Sequence, residues 1–597
     1  MARRQSTQIL NEINELQRRP KAPKQAGIDW KVFGVAAALA IAFVAWGVIS
    51  PDSVGAFGSS ALTWVMDNFG WMFVFAASAF VVFVLWVALG KFGAIPLGKD
   101  GEAPKYRTSS WIAMMFATGM GIGLVFYGVG EPLFFYLSPP PLTADPASSE
   151  AIQAAMSTTI FHWTIYPWSM YAIVGLGMGY GAYRLGRSQL FSSMFCGLFG
   201  DKFAYSVGGK VINILAIFAT LFGSACSLGL GALQIGGGME AAKIVEKSST
   251  LLLVAIIVFL TVCFVVSAVS GIDRGIQWLS NINMVLAAAL ALIVFIFGPT
   301  LFILNALPNS IATFVGDLPQ LAGRTPMLGG EVSDWLSSWS VFYWAWWISW
   351  SPFVGMFIAR ISRGRTIRQF VTGVLLVPSV VSVLWFAIFG GGAIGIQRRA
   401  ELANDVGGTI VAAASDLNFD MVLFDLLAKL GAPTPVTFVL FALTVVLVAI
   451  FFVTGADSAS IVMGGLSENG AEEPKRRLTV FWGVATGAAA AIMLVSGGDE
   501  PALALDGIKN ITIVTALPFV VVMMLLMVSI TKDLSKDPLI LRRKLAKTLL
   551  EETVTEGVKQ HDSTFTLRTA AVLPDKDLRK DPEKLAEAEA ETKLPGE

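Results

Sequence analysis

The chain is poor in the residues that soluble enzymes and disulfide-rich proteins need. Of its 597 residues only 14% are charged and 55% are hydrophobic, whereas soluble domains carry about 25% charged residues. Two histidines are too few for the paired axial ligands of a haem enzyme, and three cysteines beside apolar runs exclude a disulfide framework. The sequence has no phosphate-binding loop and zero net charge, so neither an ATP-driven pump nor a nucleic-acid-binding protein is indicated.

Long apolar runs are what the chain has in abundance, and many reach the roughly 20 residues that cross a bilayer core. With both termini in the cytoplasm, the cytoplasmic segments before the C-terminal tail carry roughly three times as many Lys and Arg as the external loops, as the positive-inside rule requires. The polar, basic residues 1–30 predict a cytoplasmic arm, not a cleaved signal peptide. The twelve predicted membrane helices lie at 31–50, 71–90, 110–129, 156–181, 211–237, 250–271, 276–304, 335–358, 369–395, 436–456, 478–496 and 511–530.

The sequence also predicts the structure of two segments outside these spans. Residues 305–325 are apolar but contain Pro308 and Pro319, so they are predicted to lie on the external surface as an interrupted helix. The tail 531–597 begins basic and ends acidic, which is typical of a solvated, partly helical cytoplasmic extension. Ordinary charge bias is the favoured interpretation of its basic beginning, and contact with anionic membrane lipids is the alternative.

Breaks in two of the predicted spans suggest an internal repeat. Glycine occupies positions 119, 121 and 123 of span three, at a helix cost of about 1 kcal/mol each relative to alanine. Pro352 predicts a break or kink in span eight, five spans later. Such a pair favours an all-α, five-plus-five inverted repeat, although close helix packing also explains the glycines. The predicted divisions are 31–90 (two peripheral helices), 110–304 (first repeat), 305–334 (external helix and loop) and 335–530 (second repeat).

Aromatic residues are concentrated in spans four and eight. At 100° per residue, Trp163, Trp168 and Tyr171 fall within about 140° of one another on a continuous helix. Together with Trp347 they would form a box whose electron-rich faces bind a quaternary ammonium group by cation–π attraction. The alternative is that these rings only pack helices together.

These segments resemble the betaine/choline/carnitine transporter family over about residues 30–530. The run from Phe342 to Pro352, FYWAWWISWSP, is the most specific part, and the closest likeness is to the sodium-coupled glycine betaine carriers of bacteria. The resemblance implies a LeuT-type fold, alternating access and a homotrimer in the bacterial cytoplasmic membrane. The substrate-binding residues that it implies are Trp163, Trp168, Tyr171 and Trp347, with Trp350 and Phe126 nearby, and the backbone of Gly119, Met120 and Gly121 for the substrate carboxylate.

The resemblance also implies two sodium sites built from oxygen ligands, which suit a hard cation. The residues of the first are Ala117, Met120, Phe451 and Thr454, and those of the second are Thr220, Ser224 and Phe353. Family members carry Thr-Ser where this chain has Thr454-Gly455, so the first site lacks one hydroxyl; Ser458 or a water could replace it. Gly123 stands where choline carriers tend to have Asp, which favours a zwitterion.

The function expected from these observations is sodium symport of a zwitterionic compatible solute, glycine betaine first, with ectoine or proline open. No organic cofactor, nucleic-acid partner or enzymatic activity is expected. Buried charges are few, and Glu131 is expected to be paired structurally more than to relay protons. The alternatives are a sodium-independent exchanger of trimethylammonium compounds such as carnitine, which Gly455 leaves open, and a non-transporting osmosensor or channel.

Overall fold

The computed structural model describes residue 9 and residues 27–119, 121–270, 273–498, 501–561 and 564–567. Within these ranges the side chains of residues 116–119, 268–270, 273–278, 280 and 501–503 are not described. The chain divides into two compact units, one formed by residues 20–536 and the other by residues 1–19 with 537–597. The second unit contains a helix at Pro538–His561, and in it Ile9 and Leu541 form a small apolar cluster with Leu545.

The described part of the larger unit is helical and contains no β-strand. Its helices are α1 (Trp30–Ile49), α2 (Pro51–Leu89), α3 (Thr108–Gly119), α4 (Ile122–Leu137), α5 (Ser149–Trp163), α6 (Ile165–Gly179), α7 (Val207–Ala241), α8 (Thr250–Ser270), α9 (Asp273–Phe297), α10 (Thr300–Gly323), α11 (Gly330–Ser338), α12 (Ser340–Ile361), α13 (Ile367–Leu402), α14 (Val422–Ala428), α15 (Thr434–Ser467), α16 (Arg476–Val495) and α17 (Pro501–Ser535). The tryptophan-rich helix α12 packs against α6, α7 and α17, which puts it in the interior of the bundle.

Nine helices in the described part of the chain are long and apolar enough to cross a membrane, and they are α1, α2, α7, α8, α10, α13, α15, α16 and α17. This finding confirms a helical, multi-pass membrane protein. The predicted spans three and four are each divided between two short helices. A total of twelve crossings and a five-plus-five repeat stay predictions.

Two helix boundaries differ from the sequence prediction. Helix α2 begins at Pro51, not near residue 71, because proline is favoured in the first turn of a helix and the apolar sequence continues from there. Its 39 residues span about 58 Å, so it is longer than a bilayer core is thick. Helix α10 runs without interruption through Pro308 and Pro319. The carbonyls that these prolines leave without a helical donor belong to the exposed residues Leu304 and Val315.

The break predicted in span eight is absent, and an unpredicted one lies in span four. Helix α12 is continuous through Pro352, because the Ser351 hydroxyl donates to the Ile348 carbonyl that the proline cannot serve (2.7 Å). In span four, Thr164 leaves the helical conformation and separates α5 from α6. Its sequence signal is Pro167, in the first turn of the second half.

A buried carboxyl group lies in the segment that joins α13 to α14. Asp420 is 5% exposed, and burial, with smaller contributions from Glu240 and Asp425, raises its pKa from 3.8 to about 6. The folded protein therefore binds more protons than the unfolded chain between these two values. The contribution of Asp420 to the stability of the folded protein is complete below about pH 3.8 and is lost as the pH rises through about 6.

Asp420→Asn is accordingly expected to raise the thermal midpoint at pH 7.5 and to reduce the loss of stability between pH 5 and 7.5. The hydrogen bond from the Gln234 amide to the Asp420 backbone carbonyl (3.0 Å) is kept. Thermal unfolding of detergent-solubilised protein at the two pH values measures both effects, with the exposed Asp416→Asn as the matched control. Equal midpoints for the two variants at pH 7.5 would contradict the prediction.

Candidate functional site: an aromatic cavity between broken helices

Rings from three helices converge on one cavity inside the bundle. The cavity leaves about 50 Å³ for the centre of a water-sized sphere. Within the described part of the chain its lining contains no charged side chain. The aromatic lining residues are Trp163, Trp168, Tyr171, Trp346, Trp347 and Trp350, and the others are Gly121, Gly123, Leu124, Pro167, Val354 and Ser382.

The break at Thr164 brings the rings of the fourth span together. Trp163 is the last residue of α5, whereas Trp168 and Tyr171 belong to α6. The wall that the sequence predicted on a continuous helix is therefore built across an interrupted one. The Trp163 ring meets the Trp347 ring edge-to-face, with centroids 4.9 Å apart, and Trp168 meets Tyr171 in the same way at 5.2 Å. Both distances lie within the range preferred by aromatic pairs.

Hydrogen bonds hold the indole rings of α12 in fixed orientations. Trp347 donates from Nε1 to the His162 carbonyl (3.1 Å), an acceptor next to the break between α5 and α6. Trp346 donates to the Ser227 hydroxyl (3.1 Å), and Trp350 donates to the Gly223 carbonyl (2.8 Å). Each ring therefore satisfies its only polar atom outside the cavity. The ring faces are left available to a ligand that needs no hydrogen bond.

A buried carboxylate lies directly behind the Trp163 ring. Glu131 of α4 is fully buried and accepts hydrogen bonds from Trp163 Nε1 (2.7 Å) and the Tyr343 hydroxyl (2.5 Å). His162 Nδ1 lies 2.7 Å from its other oxygen, and His162 Nε2 lies 2.8 Å from the Ser340 hydroxyl. The expected structural pairing of Glu131 is present. A carboxylate that accepts an indole N–H also polarises the ring, which strengthens its attraction for a cation.

Gly123 is required for the close approach of two indoles. A Cβ atom at this position would lie 2.6 Å from the Trp346 ring and 2.9 Å from the Trp163 ring. Any larger residue, including aspartate, would displace one wall of the cavity. By contrast, Gly121 has extended backbone and its missing Cβ faces open space.

The other predicted substrate residues have different positions. Gly119 ends α3, and Gly121 lines the cavity. Met120 lies outside the described residues. Phe126 does not line the cavity; its ring stacks on Phe419, with centroids 6.3 Å apart. The interruption of span three that the three glycines predict is present between α3 and α4.

The second predicted sodium site falls where α7 meets α12. Thr220 and Ser224 are one turn apart on α7, and Phe353 belongs to α12. The Ser224 hydroxyl is buried without a hydrogen-bond partner within the described residues, and so is the hydroxyl of Ser349, which lies against Gly223. Oxygen atoms left without partners are suited to a hard cation, so these residues fit the ion that the resemblance implies.

The first predicted sodium site can be described only on α15. The Thr454 hydroxyl donates to the Ile450 carbonyl (2.9 Å). The Phe451 carbonyl, one turn before Thr454, lies 3.4 Å from the same hydroxyl. A Cβ at Gly455 would face open space. Ser458, the expected substitute, is exposed and donates to the Thr454 carbonyl. Met120 and the side chain of Ala117 are outside the described part.

Comparison with known proteins settles the family. A model of the betaine/carnitine/choline family transporters matches residues 31–539. The chain belongs to this family. It is therefore a membrane transporter and not an enzyme, as the sequence predicted. The family match covers the whole of the described aromatic cavity.

Three relatives from bacteria show how close the family likeness is. The chain is 42% identical to the betaine/ectoine transporter LcoP of Corynebacterium glutamicum, over 91% of this chain and 83% of the relative. It is 41% identical to the glycine betaine transporter OpuD of Bacillus subtilis, over 86% of this chain and 96% of the relative. Identity to glycine betaine transporter 1 of Vibrio parahaemolyticus is 38%, over 85% and 94% of the two chains.

Sequence reasoning did not place two features of the site. Trp346 lines the cavity together with its neighbour Trp347, although consecutive residues of a helix point about 100° apart. Stacking of the two indoles, with centroids 4.5 Å apart, explains how both reach it. The bond between Glu131 and Trp163 joins residues 32 positions apart on separate helices, and no local pattern could have indicated it.

Proposed function

We propose that this protein imports a zwitterionic compatible solute, glycine betaine first, together with sodium ions. The single observation that carries the proposal is the convergence of six aromatic rings on an uncharged cavity. A trimethylammonium group donates no hydrogen bond, so such rings suit it better than polar side chains do. The names of the relatives, a betaine/ectoine transporter and glycine betaine transporters, support the same substrate class.

The broken helices support a role for the backbone in holding the substrate. The substrate carboxylate would meet the backbone of Gly119, Met120 and Gly121, next to the N–H groups at the start of α4 that have no partner within the helix. The ammonium group would then occupy the box of Trp163, Trp168, Tyr171 and Trp347, with Trp350 beside it. The distance between these rings and this backbone would select ligands by the separation of their ammonium and carboxylate groups.

Alternating access of a five-plus-five inverted repeat completes the proposal. The two repeats would be residues 110–304 and 335–530, with residues 31–90 peripheral and 305–334 external. Interrupted helices near the cavity are typical of transporters built this way. We further propose a homotrimer in the bacterial cytoplasmic membrane, with both termini in the cytoplasm.

Sodium coupling would use the residues of the two sites described above. Thr220, Ser224 and Phe353 would hold one ion at the contact between α7 and α12. Ala117, Met120, Phe451 and Thr454 would hold the other. The indole of Trp350 on α12 donates to the Gly223 carbonyl on α7. An ion bound where these two helices meet would therefore favour the geometry in which the aromatic cavity binds its ligand.

A sodium-independent exchanger is the second candidate, and the open space beside Gly455 favours it. A site that lacks one of its hydroxyl ligands binds a hard cation less tightly, and no described residue near Thr454 fills the space. An exchanger would need substrate on the opposite side of the membrane, whereas a symporter would need only the ion gradient.

Transport by proteoliposomes separates the two candidates. Uptake of radiolabelled glycine betaine is expected to be concentrative under an inward sodium gradient, because the ion flux supplies the free energy. It should fall to background when potassium replaces sodium. Uptake in potassium that requires betaine inside the vesicles would establish exchange instead. Flux that neither saturates nor exceeds equilibrium would indicate a channel and contradict both.

A further inference from the structure

A second cavity contains the fixed charges that the aromatic cavity lacks. It leaves about 380 Å³ for the centre of a water-sized sphere. Its walls come from the first turns of α2, the end of α11, the end of α16 and the first turns of α17. The predicted topology places all four on the external side of the membrane. Asp506 and Lys509 are the charged residues of its lining within the described residues.

Lys509 connects this external cavity to the aromatic cavity. Its side chain is 9% exposed, and its ammonium group lies over the Trp339 ring at 5.3 Å and the Phe342 ring at 5.5 Å. Phe342 in turn stacks on Trp346, a wall of the aromatic cavity, with centroids 5.6 Å apart. The positive charge therefore lies one ring outward from the candidate substrate cavity.

No carboxylate in the described part of the chain lies within ion-pair distance of Lys509. Asp506, the nearest acidic residue along α17, is three positions earlier and exposed. Glu131, deeper in the bundle, already accepts bonds from Trp163 and Tyr343. Among the described residues, two aromatic faces and no anion surround this charge, which borders an open cavity. An anionic group of a ligand in this cavity would complete its coordination.

The aromatic cavity alone does not discriminate between the trimethylammonium compounds. Glycine betaine and choline share the group that the rings would hold, and they differ at the other end, where one carries a carboxylate and the other a hydroxyl. The backbone proposed above to meet the carboxylate acts on a solute that is already inside the cavity, so selection before entry needs a second element that acts on that end or on the net charge. A fixed ammonium group on the external side does both, because it attracts the carboxylate and repels a net cation.

We propose that Lys509 is a specificity-determining residue that admits carboxylate-bearing zwitterions from the external cavity and disfavours net cations such as choline. This inference rests on the proposed function, since it concerns which solutes reach the aromatic cavity. Asp506 has the opposite effect, because its carboxylate weakens the positive potential of Lys509 at the same cavity.

Lys509→Met tests the inference in proteoliposomes that contain the full-length protein under an inward sodium gradient. The two quantities measured are the KM for external glycine betaine and the inhibition constant of external choline. Methionine keeps the length and the ring contacts but removes the charge. The ratio of the choline inhibition constant to the betaine KM is expected to fall about tenfold. Lys509→Arg, which keeps the charge, is expected to keep a ratio near that of the wild type.

Asp506→Asn supplies a readout with the opposite sign, and it remains informative should Lys509→Met fail to insert. Its ratio is expected to rise about threefold, because the lysine is no longer partly neutralised. The inference is overturned by an unchanged ratio in Lys509→Met, and also by a ratio that is unchanged or lowered in Asp506→Asn. In either case betaine uptake by the wild type still supports the proposed function. A wild type that takes up no betaine under the sodium gradient overturns the proposed function itself.

Discussion

Trp347→Ala is expected to weaken glycine betaine binding at least 30-fold without preventing membrane insertion. A desolvated cation–π contact contributes about 2 kcal/mol, which corresponds to about 30-fold in Kd. The substitution also removes the indole that donates to the His162 carbonyl beside the break in span four. Because this bond helps to hold Trp163 and Trp168 in position, the loss should exceed that of one ring alone. Isothermal titration of purified protein with glycine betaine measures the affinity.

Matched variants separate the two contributions of Trp347. Trp347→Phe keeps a ring in the cavity and loses only the N–H, so a loss of about fivefold is expected, in line with one hydrogen bond. Trp64, which is 57% exposed on α2, provides the control, and Trp64→Ala should bind betaine like the wild type. Binding by Trp347→Ala within twofold of the wild type would exclude the cavity as the substrate site.

Removal of the Glu131 carboxylate is expected to produce the largest loss of stability. Glu131→Ala leaves the buried donors of Trp163 and Tyr343 unsatisfied and removes the partner of His162 Nδ1. Each buried hydrogen-bond donor that is left without an acceptor costs about 1–3 kcal/mol. The thermal midpoint of the purified protein should fall accordingly, and betaine affinity should fall with it because Trp163 is released. Thermal unfolding and titration of the same preparation measure both.

A conservative variant distinguishes ring positioning from general destabilisation. Glu131→Gln keeps the shape and one acceptor oxygen, so it should recover part of the stability while Trp163 still loses a charged acceptor. Its betaine affinity is expected to lie between those of the wild type and Glu131→Ala. The exposed Glu150→Ala serves as the control, with no expected change. A Glu131→Ala protein as stable as the Glu150→Ala control would show that the buried network contributes nothing to the fold.

Local sequence patterns predicted much of the architecture because they report on single helices. Low charge and apolar runs established a helical membrane protein, and the three glycines between positions 119 and 123 marked the interruption between α3 and α4. Proline was the less dependable signal. Pro352 leaves α12 continuous, since the Ser351 hydroxyl satisfies the freed carbonyl. Pro167, in contrast, follows a real break at Thr164.

The difference between these two prolines depends on what surrounds each freed backbone group. A neighbouring hydroxyl can substitute for a missing N–H within one helix. Beside the break at Thr164, the His162 carbonyl instead accepts from the Trp347 indole, which belongs to another helix. The sequence shows where a proline lies, but it does not show which group donates to the carbonyl that the proline leaves free. For the same reason it could suggest that Glu131 is paired and could not name Trp163 as a partner.

The sequence by itself determined the family, the helical membrane class and the aromatic residues of the cavity other than Trp346, because these depend on composition, on helix-length hydropathy and on short motifs. Only the tertiary structure decided how those aromatic rings meet, with Trp163 on one half-helix and Trp168 on the next. The tertiary structure alone also placed Glu131 behind the Trp163 ring of the aromatic cavity and Lys509 outside that cavity. Such contacts join residues far apart in the chain, and their geometry is set by the packing of several helices at once, which no single stretch of sequence encodes.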